Sequence, residues 1–295
     1  MAVTETNTKF SLHTRCNSLP SAPHPVVSQY EDHLRRLKDR EVATCSISSS
    51  SLTHKLDGLL DLHDCTDKLL QLPMKQQALA RECSDKRVNG TLEGSLRILD
   101  ICDAAKDFLL TSKESMHELH SAIRRRRAFE TVAISKYLVS RKNLKKAIRK
   151  ALANLKTIKG EFEVSSLSNK DNDTLSILGI LKEAEEITMR SLESVLLFMC
   201  GPNGQSKKSK WSAISKLMQP KRVACDSQED PDTNEFEKVD AALHSLLTHK
   251  SSSIENIQCH MENLEMCIQD LEVALEHLSR KLIRNRGSLL NIFNH

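Results

Sequence analysis

The sequence predicts an all-α fold, an elongated helical bundle with a C-terminal coiled-coil helix, and three observations carry that prediction. Only 3% of the residues are aromatic, so the core has to be aliphatic. That suits helix-on-helix packing better than sheets, which favour aromatic and β-branched residues. The seven prolines are unevenly placed: Pro20, Pro23 and Pro25 crowd the N-terminus, and between Pro25 and Pro202 only Pro73 occurs. Proline removes a backbone donor and clashes with the preceding turn, so its absence permits long helices. The third observation is the run Ile254, Ile257, Met261, Leu264, Ile268, Leu271, Leu275, Leu278 and Leu282, spaced alternately three and four apart.

In order along the chain, residues 1–24 read as a disordered tail, 25–200 as a helical bundle domain, 201–232 as a flexible linker and 233–286 as the coiled-coil helix. A first helix follows Pro23-His24-Pro25 and runs to about Arg40. The serines at 46–51 form a loop that also supplies N-caps. Leu52, Leu56, Leu59, Leu60, His63, Asp67 and Leu70 then trace a helix that stops before Pro73, followed by a short one through Met74, Ala78 and Leu79. From Leu92 a long helix carries Cys102, Ala105, Leu109, Ser112, Met116, Leu119 and Ile123 on one face. A helix over 131–158 buries Tyr137, Leu144, Ile148, Ala151, Leu155 and Ile158, and Gly160 with the polar stretch after it separates this from a helix over 174–200. Gly201-Pro202-Asn203-Gly204 is a strong stop, and the following segment holds one amphipathic turn around Trp211, Ile214 and Leu217.

The C-terminal series is a strict a/d seam, and it extends backwards through Leu247, Leu243 and Phe236, interrupted by Lys250 and Asp240. It requires a packing partner without saying whose. The flanking Gln258, His260, Glu265, Cys267, Glu272 and Ala274 lack the charge code of a self-sorting zipper, so both antiparallel packing within the chain and homo-oligomerisation through the coiled coil are open.

Nine scattered cysteines with no C-x-x-C pair point to buried free thiols, such as Cys65, Cys102 and Cys267, in a reducing compartment. No apolar run approaches the ~20 residues needed to cross a bilayer, and the start of the chain lacks the apolar stretch of a signal peptide. An intracellular, cytoplasmic location is expected. The N-terminal tail is poor in acids, which keeps a plastid location open, and a peripheral membrane location rests on the basic charge.

That charge is the most informative irregularity. Residues 124–159 hold thirteen Lys or Arg against one acid, Glu130. Beside the run Arg124, Arg125, Arg126 and Arg127, a helical projection puts Lys142, Lys145, Lys146, Arg149 and Lys156 away from Tyr137, Leu144, Ile148 and Leu155. Such a face attracts anionic surfaces in a salt-sensitive way. The aromatic side chains that stack bases are missing, as is a recognition helix, so an acidic protein or an anionic membrane surface is favoured over nucleic acid. The plainer reading is a solvated face balanced by Asp226, Glu229, Asp230, Asp232, Glu235 and Glu237.

In the tail, Arg15-Cys16-Asn17-Ser18-Leu19-Pro20 has the arrangement that phosphoserine-reading adaptors of the 14-3-3 type accept, with Ser18 as the phosphosite. A pattern this loose also arises by chance in unstructured tails. No catalytic, cofactor-binding or metal-binding residues are expected. His117 and His120 stand three apart rather than at the four-residue spacing of a zinc helix. Asp57, Asp61, Asp64 and Asp67 share a helix stripe that reads as a solvated acidic face. No Gly-rich phosphate loop, Gly-x-Ser-x-Gly elbow or kinase-like set occurs.

Four stretches resemble one plant-specific family: residues 13–20 (HTRCNSLP), 55–79 (KLDGLLDLHDCTDKLLQLPMKQQAL), 94–127 (GSLRILDICDAAKDFLLTSKESMHELHSAIRRRR) and 137–156 (YLVSRKNLKKAIRKALANLK). Together they are similar to the BYPASS-like family, a plant domain of unknown function. The resemblance implies helical architecture with a C-terminal coiled coil and a part in root and shoot development, and it brings no catalytic residues. His63 stands where the resemblance leads one to expect Tyr. The function expected is a non-enzymatic regulatory protein acting as a helical scaffold. Its alternatives are a membrane-peripheral protein held by the basic helix and an enzyme acting on a small signalling metabolite.

Overall fold

The computed structural model describes residues 24–43, 48–82, 85–125, 130–167, 177–201, 233–248 and 254–294. Among them there are eight helices and no strand. In chain order they are α1 (Pro25–Ala43), α2 (Ser49–Leu70), α3 (Pro73–Glu82), α4 (Asp85–Arg124), α5 (Glu130–Leu167), α6 (Ile177–Cys200), α7 (Glu235–Leu247) and α8 (Ile254–Phe293).

Several helices start or end away from the expected points. α2 begins at Ser49 because Ser48 is its N-cap, its side-chain oxygen accepting from the Ser51 amide at 3.3 Å. α4 begins at Asp85, and α5 runs through Gly160 to Leu167. One glycine costs a helix only about 1 kcal/mol against alanine, too little to end it without a second stop signal. α6 does end at its glycine. Gly201 takes φ 73°, and its amide donates to Leu197 O at 3.0 Å, the left-handed C-terminal cap that glycine adopts without strain.

α2, α4, α6 and α8 close a four-helix core, each packed on two of the others. Lys55 reaches Ser194 and His63 reaches Thr188, so α2 and α6 are antiparallel. Lys106 pairs with Glu276 at 2.5 Å, Lys113 with Glu272 at 2.5 Å and His117 with Glu265 at 2.7 Å, so α4 and α8 are antiparallel too. Asp64 with Lys281 and Asp67 with Ser288 make α8 parallel to α2. α1 packs against α2 and α6 through Val27, Tyr30, Leu34 and Leu37, and the Tyr30 hydroxyl donates to Ile180 O at 2.6 Å. α5 covers α4 and α6 from outside, and α7 packs chiefly on α8 at the end of the bundle where α6 stops.

The C-terminal seam is carried by two helices, α7 and α8, rather than by one over 233–286. From Ile257 to Leu282 every seam residue is buried, while Ile254 at the start of α8 is exposed. The three-and-four spacing continues through Asn285, Leu289 and Ile292, all buried. Cys267, Ala274 and Ser279 beside the seam are buried as well. A two-stranded coiled coil buries only the narrow a/d seam, whereas a helix lying between two neighbours buries this wider stripe. The seam therefore meets the chain's own α2 and α4.

Candidate functional site

The basic face is built on α5, whose one side is used for packing. Ile134, Tyr137, Leu144, Ile148, Leu152 and Leu155 are buried against the bundle. The opposite side exposes Lys142, Lys146, Arg149, Lys150 and Lys156. From Thr131 to Gly160 the chain has no Asp or Glu. Lys142, Lys146 and Lys150 follow one another at four-residue spacing, and like charges so placed destabilise a helix by about 0.2–0.5 kcal/mol per pair. None of these three lysines pairs with a described acid, whereas Lys136 pairs with Glu118 at 2.6 Å and Lys159 with Glu193 at 2.7 Å.

Three expected members of the face, Arg124, Arg125 and Lys145, stand elsewhere. Arg124 ends α4 and is exposed with Arg125, while Arg126 and Arg127 lie outside the described residues. Lys145 is half-buried and turned inward, its Nζ donating to Asp240 Oδ2 at 2.8 Å. α7 packs along that edge of α5 and draws the lysine to it. Ser18, the segment 202–232 with Trp211, and the acids Asp226, Glu229, Asp230 and Asp232 also lie outside the described residues.

Beside Lys145 is a buried charge cluster that the helical projection did not single out. Arg141 is 4% exposed, and its Nε donates to Asp240 Oδ2 at 3.3 Å. Its guanidinium carbon lies 4.4 Å from the centre of the Phe236 ring, within cation–π range. Phe236 in turn meets Phe198 edge-on, centroids 5.7 Å apart at 76°. Burial pushes Glu237 above the usual carboxylate range, and burial with the nearby Asp240 charge does the same to the Tyr137 phenol. A Cβ at Gly201 would come within 2.8 Å of Glu237 Oε1, a second reason for glycine there. The signal in the sequence was a cation inside an apolar series: Tyr137, Arg141, Leu144 and Ile148 share one stripe.

A second buried polar cluster crosses the core. His63, on α2, is 4% exposed and bonds Thr188 Oγ1 through Nε2 at 2.9 Å and Asn285 Nδ2 through Nδ1 at 3.0 Å. The Thr188 hydroxyl donates to Ala184 O, so its oxygen accepts from Nε2–H, which leaves Nδ1 to accept from Asn285. That chain of donors needs a neutral ring, and burial lowers the His63 pKa to about 4. Nearby on α6, burial pushes Glu185 up to about 8, and its carboxylate oxygen lies 2.9 Å from where a Cβ on Gly94 would stand.

The remaining candidates are used in packing. The stripe Asp57, Asp61, Asp64 and Asp67 is not uniformly solvated, because α8 lies along part of it. Asp57 and Asp61 are exposed, but Asp64 accepts from Lys281, and buried Asp67 accepts from Gln71 Nε2 at 2.9 Å and Ser288 Oγ at 3.0 Å. Cys65, Cys102, Cys200 and Cys267 are buried free thiols, and burial pushes Cys102 and Cys267 up to about 12. An open cleft of about 360 Å³ lies between the first turns of α2 and α7 and the side of α8 that carries His260 and Asp270. Among the described residues no group of three His, Cys, Asp or Glu is placed to hold a metal ion, and no helix is long and apolar enough to cross a membrane.

The family model described as Protein BPS1 matches residues 55–292, from the second turn of α2 almost to the end of α8. The chain belongs to this family, the BYPASS-like family. Membership fits a regulatory protein of plant development. No curated protein and no solved structure matches the chain.

Proposed function

We propose that this protein is a non-enzymatic helical scaffold of plant development, and that it docks acidic protein partners on the outer face of α5. The observation that carries the reading is the ladder Lys142, Lys146 and Lys150, exposed and unpaired among the described residues on a helix whose other side is fixed in the bundle. A like-charge ladder that costs helix stability is best accounted for by an anionic contact that neutralises it. The groups that could suggest chemistry have packing roles instead: His117 pairs with Glu265, and His63 is held in the core. Ser18 is a second contact point, read by a phosphoserine adaptor after phosphorylation. Peptide 12–23 phosphorylated at Ser18 should bind such an adaptor, and its failure beside a binding control ends that part.

Proximity labelling in root tissue tests the main reading, comparing wild type with Lys142→Glu/Lys146→Glu/Lys150→Glu. Partners that label the wild type should be lost from the reversed variant, and their capture should weaken with salt. An unchanged set of labelled proteins refutes the docking face. A second reading, contact with an anionic membrane surface, is favoured by Val132 and Val139, 63% and 59% exposed on the same helix as the lysines. The apolar side of α5 is already buried, which supports adsorption by charge rather than insertion. Vesicles rich in phosphatidylserine should then bring the protein down at low salt and release it at high salt.

A further inference from the structure

α7 is held on the bundle by poorly matched polar groups. Among the described residues, six buried side-chain nitrogen or oxygen atoms have no hydrogen-bond partner, and five of them belong to the α7 contact. They are Arg141 Nη1 and Nη2 on α5, and Glu235 Oε2, Glu237 Oε1 and Asp240 Oδ1 on α7 itself. Buried polar groups left unpaired weaken whatever state buries them. The fully buried apolar grip is short as well: α7 buries Phe236, Val239 and Leu243, with Ala242, Leu246 and Leu247 only partly buried beside them. At 13 residues α7 is at the length where a free helix is marginal, so its helicity depends on docking.

What α7 covers is part of the basic helix. Phe236 and Asp240 are four apart on one side of α7; the ring fits between Phe198 and the Arg141 guanidinium, and the carboxylate takes both Arg141 and Lys145. With α7 docked, Arg141 is withheld from solvent and Lys145 is half-buried against Asp240. With α7 released, Arg141 and Lys145 join Lys142 and Lys146 in one continuous basic patch.

We propose that α7 is a built-in occupant of a helix-docking slot between α8 and the adjoining edges of α5 and α6, and that an acidic amphipathic helix from a protein partner displaces it. The partner helix would carry an aromatic residue four positions before a carboxylate, the spacing that α7 itself presents. Charge complementarity identifies the occupant, since the slot offers two cations beside an aromatic floor. This rests on reading α5 as a contact surface and adds its regulation: the chain competes with its own partner.

A labelled peptide of residues 233–248 serves as the probe, added to the full chain. In wild type the tethered α7 holds the slot, so the peptide binds weakly. Phe236→Ala/Asp240→Asn weakens α7 in place and should raise peptide affinity by about tenfold or more, because more of the chain is then binding-competent. Adding Arg141→Ala to that variant should remove the gain. Equal peptide affinity for wild type and the double variant, with α7 amides exchanging as slowly as those of α8, overturns the proposal. A concentration-dependent dimer of the wild-type chain that is lost on Phe236→Ala/Asp240→Asn would seat a second copy's α7 in the slot and overturn the partner assignment. If reversal of Lys142, Lys146 and Lys150 abolishes partner labelling while the double variant gains no peptide affinity, the surface reading stands and the latch falls. A tenfold gain with labelling unchanged by that reversal leaves the slot standing and removes the outer face.

Discussion

The two buried polar clusters are built from similar groups and are held in opposite ways. In the core, His63 passes one donor to Thr188 and takes another from Asn285, each at about hydrogen-bond length, with only Asn285 Oδ1 lacking a partner. At the α7 contact, Arg141 and Asp240 share one long bond, and five side-chain atoms of Arg141, Asp240, Glu235 and Glu237 have no partner. A closed chain of hydrogen bonds fixes one arrangement of four helices, whereas an open one leaves room for exchange. Burial alone therefore does not tell which polar cluster is structural; satisfaction does.

Substitutions should separate the two. His63→Ala removes a buried ring and orphans its partners, which should lower global stability by about 3–4 kcal/mol in urea denaturation. Glu185→Gln should stabilise the fold by on the order of 4 kcal/mol at pH 8, with the gain vanishing towards pH 4.5. The folded state keeps the Glu185 proton up to about pH 8 while the unfolded chain releases it near 4.5, so stability falls as pH rises between them, by about 1.4 kcal/mol per unit. His63 acts the other way. Its folded pKa is near 4 and its ordinary value 6.5, so stability falls as pH drops from 6.5 to about 4. The two slopes offset each other between about 4.5 and 6.5, and urea midpoints should decline from pH 6.5 to 8.

Asp240→Ala should cost global stability less than about 1 kcal/mol, because α7 can leave and Arg141 can reach water, while cleavage within α7 by added protease becomes faster. A loss of about 3–5 kcal/mol, the usual result of breaking a firmly buried ion pair, would make the two clusters alike. Lys146→Gln should act on the fold only through charge, a gain of about 0.4–1 kcal/mol by thermal melting, since it removes two repulsive pairs. The same substitution should weaken partner capture.

Most of the fold is legible in the sequence because packing imposes a period, and the apolar stripes of α2, α4, α5 and α8 show it. Boundaries are harder to read: α4 begins seven residues before Leu92, where Gly90 and Gly94 lie among polar residues and hide the period. Asn285 hides the last part of the seam for the same reason, as a polar residue at an apolar position. The outer lysines are legible from helical projection alone. The inward turn of Lys145 and the pairing of Arg141 with Asp240 are not, since periodicity assigns a residue to a face but not to the helix that will meet it.

The parallel placement of α8 beside α2 has a consequence for how the chain is made. His63 meets Asn285 across 222 residues, and Asp64 meets Lys281 across 217, so α2 cannot complete its core contacts until the last helix is synthesised. Until then the sides of α2 and α4 that α8 will cover stay bare on the nascent chain. Contacts this distant slow folding and prolong the exposure of apolar surface. Premature termination before α8 should therefore give not a smaller bundle but an insoluble one that chaperones retain, and release from the chaperone should coincide with the arrival of Leu264 through Leu289.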